Sequence, residues 1–173
     1  MGAKPLTRGA GILLSISSLP SSYGIGTFGN AAFRFVDLLA DLKQKYWQVL
    51  PMGPTSVGDS PFQSLSAFAG NPYFIDLDDF MAEGLLQQEE IAAYNWGNDA
   101  TNVDYSILYE NRFSVLKLAF ERFDQENAAY KEFCELENNW LDDYSLFMAL
   151  KEFFGNKAWN MWDKPLRDRE VRK

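Results

Sequence analysis

A chain of 173 residues with a hydrophobic fraction of 47% is long enough for one folded domain or part of a larger one, and too apolar to be disordered. Its net charge of −8 disfavours nucleic acid and anionic membrane as main partners, since both call for a basic surface. The absence of histidine removes imidazole metal ligands and Ser-His or Cys-His nucleophiles, and a single cysteine, Cys134, leaves no internal disulfide and points to a reduced, cytoplasmic setting.

Lys4 and Arg8, ahead of an apolar stretch over residues 11–16, loosely imitate a signal peptide. Serines interrupt that stretch and no small-x-small site follows before Pro20, so secretion is not expected. No apolar run is long enough for a transmembrane helix. Ile12, Leu13, Leu14 and Ile16 predict a short buried strand, and a glycine-bearing loop follows over residues 19–26. Asn30 suits the N-cap of a helix in which Ala32, Phe35, Val36, Leu39 and Leu42 recur at helical spacing, mostly opposite Arg34, Asp37, Asp41 and Lys45. Tyr46, Trp47, Val49 and Leu50 read as a second buried strand. Strand, helix, strand in this order is a βαβ unit, with parallel strands and a right-handed crossover.

Pro51 ends the second strand, and the stretch that follows is not ordinary linker. Pro54, Gly58, Pro61, Gly70 and Pro72 fix the backbone repeatedly and predict a loop of defined shape. Between them stand Asp59, Ser60, Phe62, Gln63, Ser64, Ser66, Phe68 and Asn71. Hydroxyls, amides and aromatic faces with little charge suit a neutral polyhydroxylated ligand, because a sugar offers OH groups to bond and flat CH faces to stack. Each position also has a plainer role. Asp59 can bond its own turn, Ser60 and Gln63 can satisfy loop backbone, and Phe62 can be core, although its polar setting favours a ligand wall. Tyr23 is expected to pack under the cleft rather than line it.

Beyond Leu77 the signals are almost all helical. Asp104 or Ser106 can cap a helix whose stripe is Tyr109, Phe113, Leu116, Phe120 and Phe123. Tyr130, Phe133 and Cys134 mark another helix. A third carries Trp140, Tyr144, Phe147 and Phe154 on one face and Leu146, Leu150 and Phe153 on another, which predicts cover on two sides, and Gly155 suits its C-terminal stop. Trp140, Trp159 and Trp162 are expected in the core. Asp163 and Pro165 open a last helix with Arg167, Asp168, Glu170 and Arg172 on its solvated side, and the chain is expected to stop inside it. Two strands do not make a stable parallel sheet, since such sheets have many strands covered on both faces. The fold class expected is therefore α/β, as the first part of a larger domain.

Four stretches carry a family resemblance: GILLSISSLPSSYGIGTFG (11–29), YWQVLPMGPT (46–55), GDSPFQSLSAFAGNPYFIDL (58–77) and YSLFMALKEFFGNKAWNMWDKPLRDRE (144–170). Through them the chain resembles the amylomaltases, or disproportionating 4-α-glucanotransferases, of the α-amylase clan, from about Arg8 onward. The resemblance implies the N-terminal third of a (β/α)₈ TIM-type barrel, with residues 8–78 as its first strand-helix-strand unit, 79–162 as a helical insertion and 163–173 as the start of a further helix. It implies retaining transfer of an α-1,4-glucan, which needs a carboxylate nucleophile and an acid/base about 5–5.5 Å apart. The family draws these from later barrel strands, so no catalytic residue is expected before Lys173, and neither cofactor nor metal is expected. Asp59, Ser60, Phe62 and Gln63 match the part of the motif that lines the donor subsites, on the catalytic face of a barrel. Phe62 stands where similar proteins usually carry Tyr, and Val57 where some carry an aromatic residue serving a remote glucan site. The partner implied is a maltooligosaccharide; a non-catalytic binding module and a fragment of an α-glucan hydrolase are the alternatives. The open strand edges also leave room for self-association.

Overall fold

The computed structural model describes residues 7–56 and 58–170; Lys4, Val57, Arg172 and Lys173 lie outside the described residues. Strand β1 (Gly11–Leu13) runs parallel to β2 (Tyr46–Gln48), with Gly11 opposite Tyr46 and Leu13 opposite Gln48. Parallel strands cannot be closed by a tight hairpin, and α1 (Asn30–Asp41) makes the connection. Flanking hydrogen bonds lengthen the pair: Lys45 N–H donates to the Ala10 carbonyl at 2.9 Å and Leu14 N–H to that of Gln48 at 3.0 Å. The βαβ reading therefore holds, in a mixed α/β chain with an open two-stranded sheet.

The expectation that both strands are buried does not hold. All of β1 is exposed, Leu13 to 58%, and β2 is half-buried to exposed. A strand is buried only when both its faces are covered. Here Phe35 of α1 packs edge-on to Trp47 at 4.9 Å, while neither outer edge has a neighbour among the described strands. For the same reason α1 buries a narrower stripe than expected. Ala32 and Leu39 are buried, whereas Val36 and Leu42 are exposed. Its N-cap is Gly29, one residue before Asn30. The carboxylate of Asp76 fills the space where a side chain on residue 29 would lie.

The chain divides after Phe123 into two compact units. In the first, one core joins Ile16, Leu19, Ile25, Ala32, Tyr73, Phe74 and Leu108, and another joins Tyr23, Leu77, Leu86, Ile91, Val115 and Ala119. Helix α2 (Leu77–Ala82) is capped by Asp76, whose carboxylate accepts the Asp78 N–H at 2.8 Å. A capping box of Gln87 and Glu90 starts α3 (Gln88–Ala92). Asp104 caps α4 (Tyr105–Arg122), accepting from the N–H groups of Ser106 and Ile107.

The buried face of α4 is not the expected aromatic stripe. It is Leu108, Arg112, Val115 and Ala119, while Tyr109 and Phe120 are exposed. Both rows have helical spacing. The branched and small residues win because Val115 and Ala119 fit into the cluster of Leu77, Leu86 and Ile91, and because Arg112 finds backbone carbonyls there.

The second unit holds α5 (Ala128–Leu136), α6 (Leu141–Phe153) and α7 (Lys164–Arg167). Asn127 caps α5 through the Ala129 N–H at 2.9 Å. Phe147 and Phe154 meet Trp162, each with ring centroids 5.6 Å apart, and Trp162 is buried. The second apolar face of α6 is not covered, however: Leu146 and Phe153 are exposed, as is Trp159. Gly155 follows α6 with φ 61°, as its stop position requires. The last helix ends at Arg167, because Arg169 takes a left-handed φ of 53° that breaks the run.

Candidate functional site

The segment after β2 folds back on itself as a closed loop. At its base the Asn71 N–H donates to the Met52 carbonyl at 2.8 Å. Higher up, Thr55 and Ser64 form an antiparallel bridge, and Leu65 N–H donates to the Pro54 carbonyl at 3.2 Å. Serine hydroxyls supply local stiffness. Ser64 Oγ donates to the Ser66 carbonyl at 2.6 Å, and Ser66 Oγ accepts from the N–H groups of Phe68 and Ala69. Asn71 caps the 3₁₀ turn over Pro72–Phe74 by accepting the Tyr73 N–H at 3.0 Å. The loop thus has the defined shape that its prolines and glycines predict.

Asp59, Ser60, Phe62 and Gln63 lie together at the far end of this loop. Asp59 has φ 53°, a left-handed conformation that aspartate tolerates better than most residues, and its N–H donates to the Ser56 carbonyl at 3.0 Å. Ser60 accepts the Phe62 N–H at its hydroxyl, 3.3 Å away, and the Gln63 N–H at its carbonyl, 3.0 Å away. Ser56 Oγ donates to the Gln63 carbonyl at 3.1 Å. Part of the plainer role, backbone satisfaction, is therefore real for Ser60. Phe62 is not core: the residue is 73% exposed, and Phe68 is exposed too. Tyr23 is core, packed with Leu77 and Ile91, and its hydroxyl donates to Asp78.

The charge of Asp59 reaches the phenols of Tyr73 and Tyr105. Burial first, and then the Asp59 carboxylate, push Tyr73 up to about 12 and raise Tyr105. Both stay neutral hydroxyls at physiological pH. Asp59 is also the single acidic residue between Pro51 and Ile75. A glycosyl transfer through an enzyme-bound sugar needs two carboxyl groups, so this loop cannot by itself carry one out. Among the described residues no group of three or more acids and cysteines could hold a metal ion, and no helix is long and apolar enough to cross a membrane.

Arg112 is the support that sequence reasoning missed. It is fully buried and donates through one terminal nitrogen to the carbonyls of Tyr73, at 3.2 Å, and Ile75. Burial pulls its pKa down to about 10, against the opposing pull of Asp76. Its guanidinium also lies 5.9 Å from the centre of the Trp96 ring. The available signal was an arginine in helical register with Leu108, Val115 and Ala119.

Residues 14–173 match the profile of the family described as 4-alpha-glucanotransferase. The chain belongs to the 4-alpha-glucanotransferase family. It is 48% identical over 158 residues to a 4-alpha-glucanotransferase of Clostridium butyricum, covering 91% of this chain and 32% of that protein. Against the 4-alpha-glucanotransferase of Streptococcus pneumoniae serotype 4 it is 46% identical over 168 residues, covering 96% and 33%. An amylomaltase from Streptococcus agalactiae, solved in complex with acarbose, superposes with a TM-score of 0.86 at 42% identity, over 95% of this chain and 34% of that one. The chain thus spans about a third of the length of these glucanotransferases.

Proposed function

We propose that this chain forms part of the donor-glucan wall of a 4-α-glucanotransferase, an enzyme that transfers segments of α-1,4-glucans with retention in maltooligosaccharide and starch or glycogen metabolism of the cytoplasm. The observation that carries this reading is the family match across residues 14–173, which includes the whole closed loop and its exposed Phe62. In this reading β1, α1 and β2 open a (β/α)₈ barrel, residues 79–162 are a helical insertion, and residues 163–173 begin a further helix. The loop after β2 then stands on the catalytic rim, where Phe62 stacks on a sugar face and Asp59, Ser60 and Gln63 bond its hydroxyls. The reacting carboxylates belong to the length of the relatives that this chain does not span, and neither metal nor cofactor enters the step.

A chimera tests the reading. Residues 14–173 replace the matching segment of the Clostridium butyricum relative, and glucose release from maltotriose is followed. Disproportionation near the parent's rate is expected. A folded chimera that only hydrolyses, or does neither, overturns the assignment. The 173-residue chain alone is expected to release no glucose above background.

A further inference from the structure

A buried arginine of α4 grips the limb on which the loop after β2 returns. Arg112 is fully buried, and its Nη2 donates to the carbonyls of both Tyr73 and Ile75. The carbonyl between them, that of Phe74, accepts the Phe28 N–H at 2.9 Å, so each carbonyl from Tyr73 to Ile75 is held. Tyr73 is in turn tied to the loop. Its N–H donates to Asn71 Oδ1 at 3.0 Å, and the Asn71 N–H closes the loop base on the Met52 carbonyl. The Tyr73 ring also packs on Phe113 of α4, with centroids 5.7 Å apart. The other donors of Arg112 do little for the fold. Its Nε and Nη1 are buried with no hydrogen-bond partner among the described residues. A buried cation left partly unpaired costs stability that a well-packed apolar side chain would not. What an apolar side chain could not do is hold those two carbonyls in place.

We infer that Arg112 is a positioning residue for the donor glucan: from α4 it sets where the return limb of the loop lies, and so where Asp59 and Phe62 meet the sugar, without touching the sugar itself. This rests on the glucanotransferase reading for what the loop holds. The path is short and continuous, from Arg112 through Tyr73 and Asn71 to Met52. Loosening it costs donor binding before chemistry, because the loop carries no pair of reacting carboxylates.

The test is made in the Clostridium butyricum chimera, with maltotriose as donor. Arg112→Met keeps much of the side-chain volume and removes every donor. It should speed amide exchange at Leu65 and Asn71, whose N–H groups close the loop, by at least about tenfold. KM should rise about two- to twelvefold, the worth of one net hydrogen bond, with kcat within about twofold of the parent. Lysine keeps the charge without the fork, so Arg112→Lys should fall between parent and Arg112→Met in both readouts. Val115, one turn along α4, packs with Leu77, Leu86 and Ile91, and Val115→Ala is the control for lost stability. It should lower the urea midpoint and leave KM and loop exchange at parent values. The inference is overturned if Arg112→Met leaves loop exchange or KM unchanged, or if Val115→Ala raises KM as much. Should Arg112→Met not fold, Arg112→Lys decides, and parent values in both readouts overturn the inference. Loop exchange that responds as expected in a chimera releasing no glucose keeps the anchor and counts against the glucan reading. Normal turnover with an unresponsive loop does the reverse.

Discussion

Replacing Gly29 by alanine should destabilise the chain through one carboxylate. A Cβ at Gly29 would lie 1.5 Å from Asp76 Oδ2 and 2.2 Å from its Cγ, so the side chain of Asp76 must leave. It cannot leave freely. Its Oδ1 accepts the Asp78 N–H at 2.8 Å to cap α2, and its Oδ2 accepts the hydroxyl of Thr27, which is 2% exposed. Losing such a cap costs about 1 kcal/mol. Leaving a buried hydroxyl unpaired costs about 1–3 kcal/mol. Alanine in place of glycine at the N-cap of α1 adds somewhat under ~1 kcal/mol. The sum is about 2–5 kcal/mol, a large share of the ~5–15 kcal/mol that holds a typical domain together. The same losses follow from Asp76→Ala, so the two changes should not add. In urea unfolding followed by far-UV circular dichroism, Gly29→Ala should cost about 1 kcal/mol or less once Asp76 is already alanine, giving a coupling of about 2–4 kcal/mol. Additivity of the two substitutions within about 0.5 kcal/mol would show that the carboxylate is not what makes glycine necessary.

Two further outcomes probe the loop. Burial and Asp59 hold the Tyr73 phenol at about 12 against an ordinary 10.0. The folded chain then keeps a proton that the unfolded chain has released, so this stabilisation is complete below pH 10 and disappears as pH rises through 12. Tyr73→Phe should flatten the alkaline fall of the urea midpoint across that window, and an unchanged slope would contradict the assignment. Phe62→Tyr adds the hydroxyl that the family resemblance implies at this position. In the chimeric glucanotransferase it should tighten maltooligosaccharide binding by about 0.5–1.5 kcal/mol, or roughly two- to twelvefold, without moving the urea midpoint, since residue 62 is already 73% exposed. Equal or weaker binding would place Phe62 away from the sugar.

Local signals were legible where the cause is local. Asp104 caps α4 as its position before the apolar run suggests, Gly155 ends α6, and the proline and glycine positions after β2 mark a loop held by its own backbone. The loop residues Asp59, Ser60, Phe62 and Gln63 were legible as a group because they are consecutive or nearly so, and a short loop keeps them together whatever surrounds it. Which face of α4 is buried was not legible. Tyr109, Phe113 and Phe120 make as regular a stripe as Leu108, Val115 and Ala119, and hydrophobicity alone favours the aromatics.

By itself, then, the order of residues determined the kinds of element, the parallel sense of the strand pair and the family to which the chain belongs. Those properties follow from spacing, turn chemistry and motif, each confined to a few neighbouring residues. Only the tertiary structure decided that Gly29 rather than Asn30 caps α1, that Leu108, Val115 and Ala119 are the buried face of α4, and that Arg112 holds the carbonyls of Tyr73 and Ile75. Those outcomes depend on which distant segment arrives, and burial is a property of the pair of surfaces rather than of either sequence.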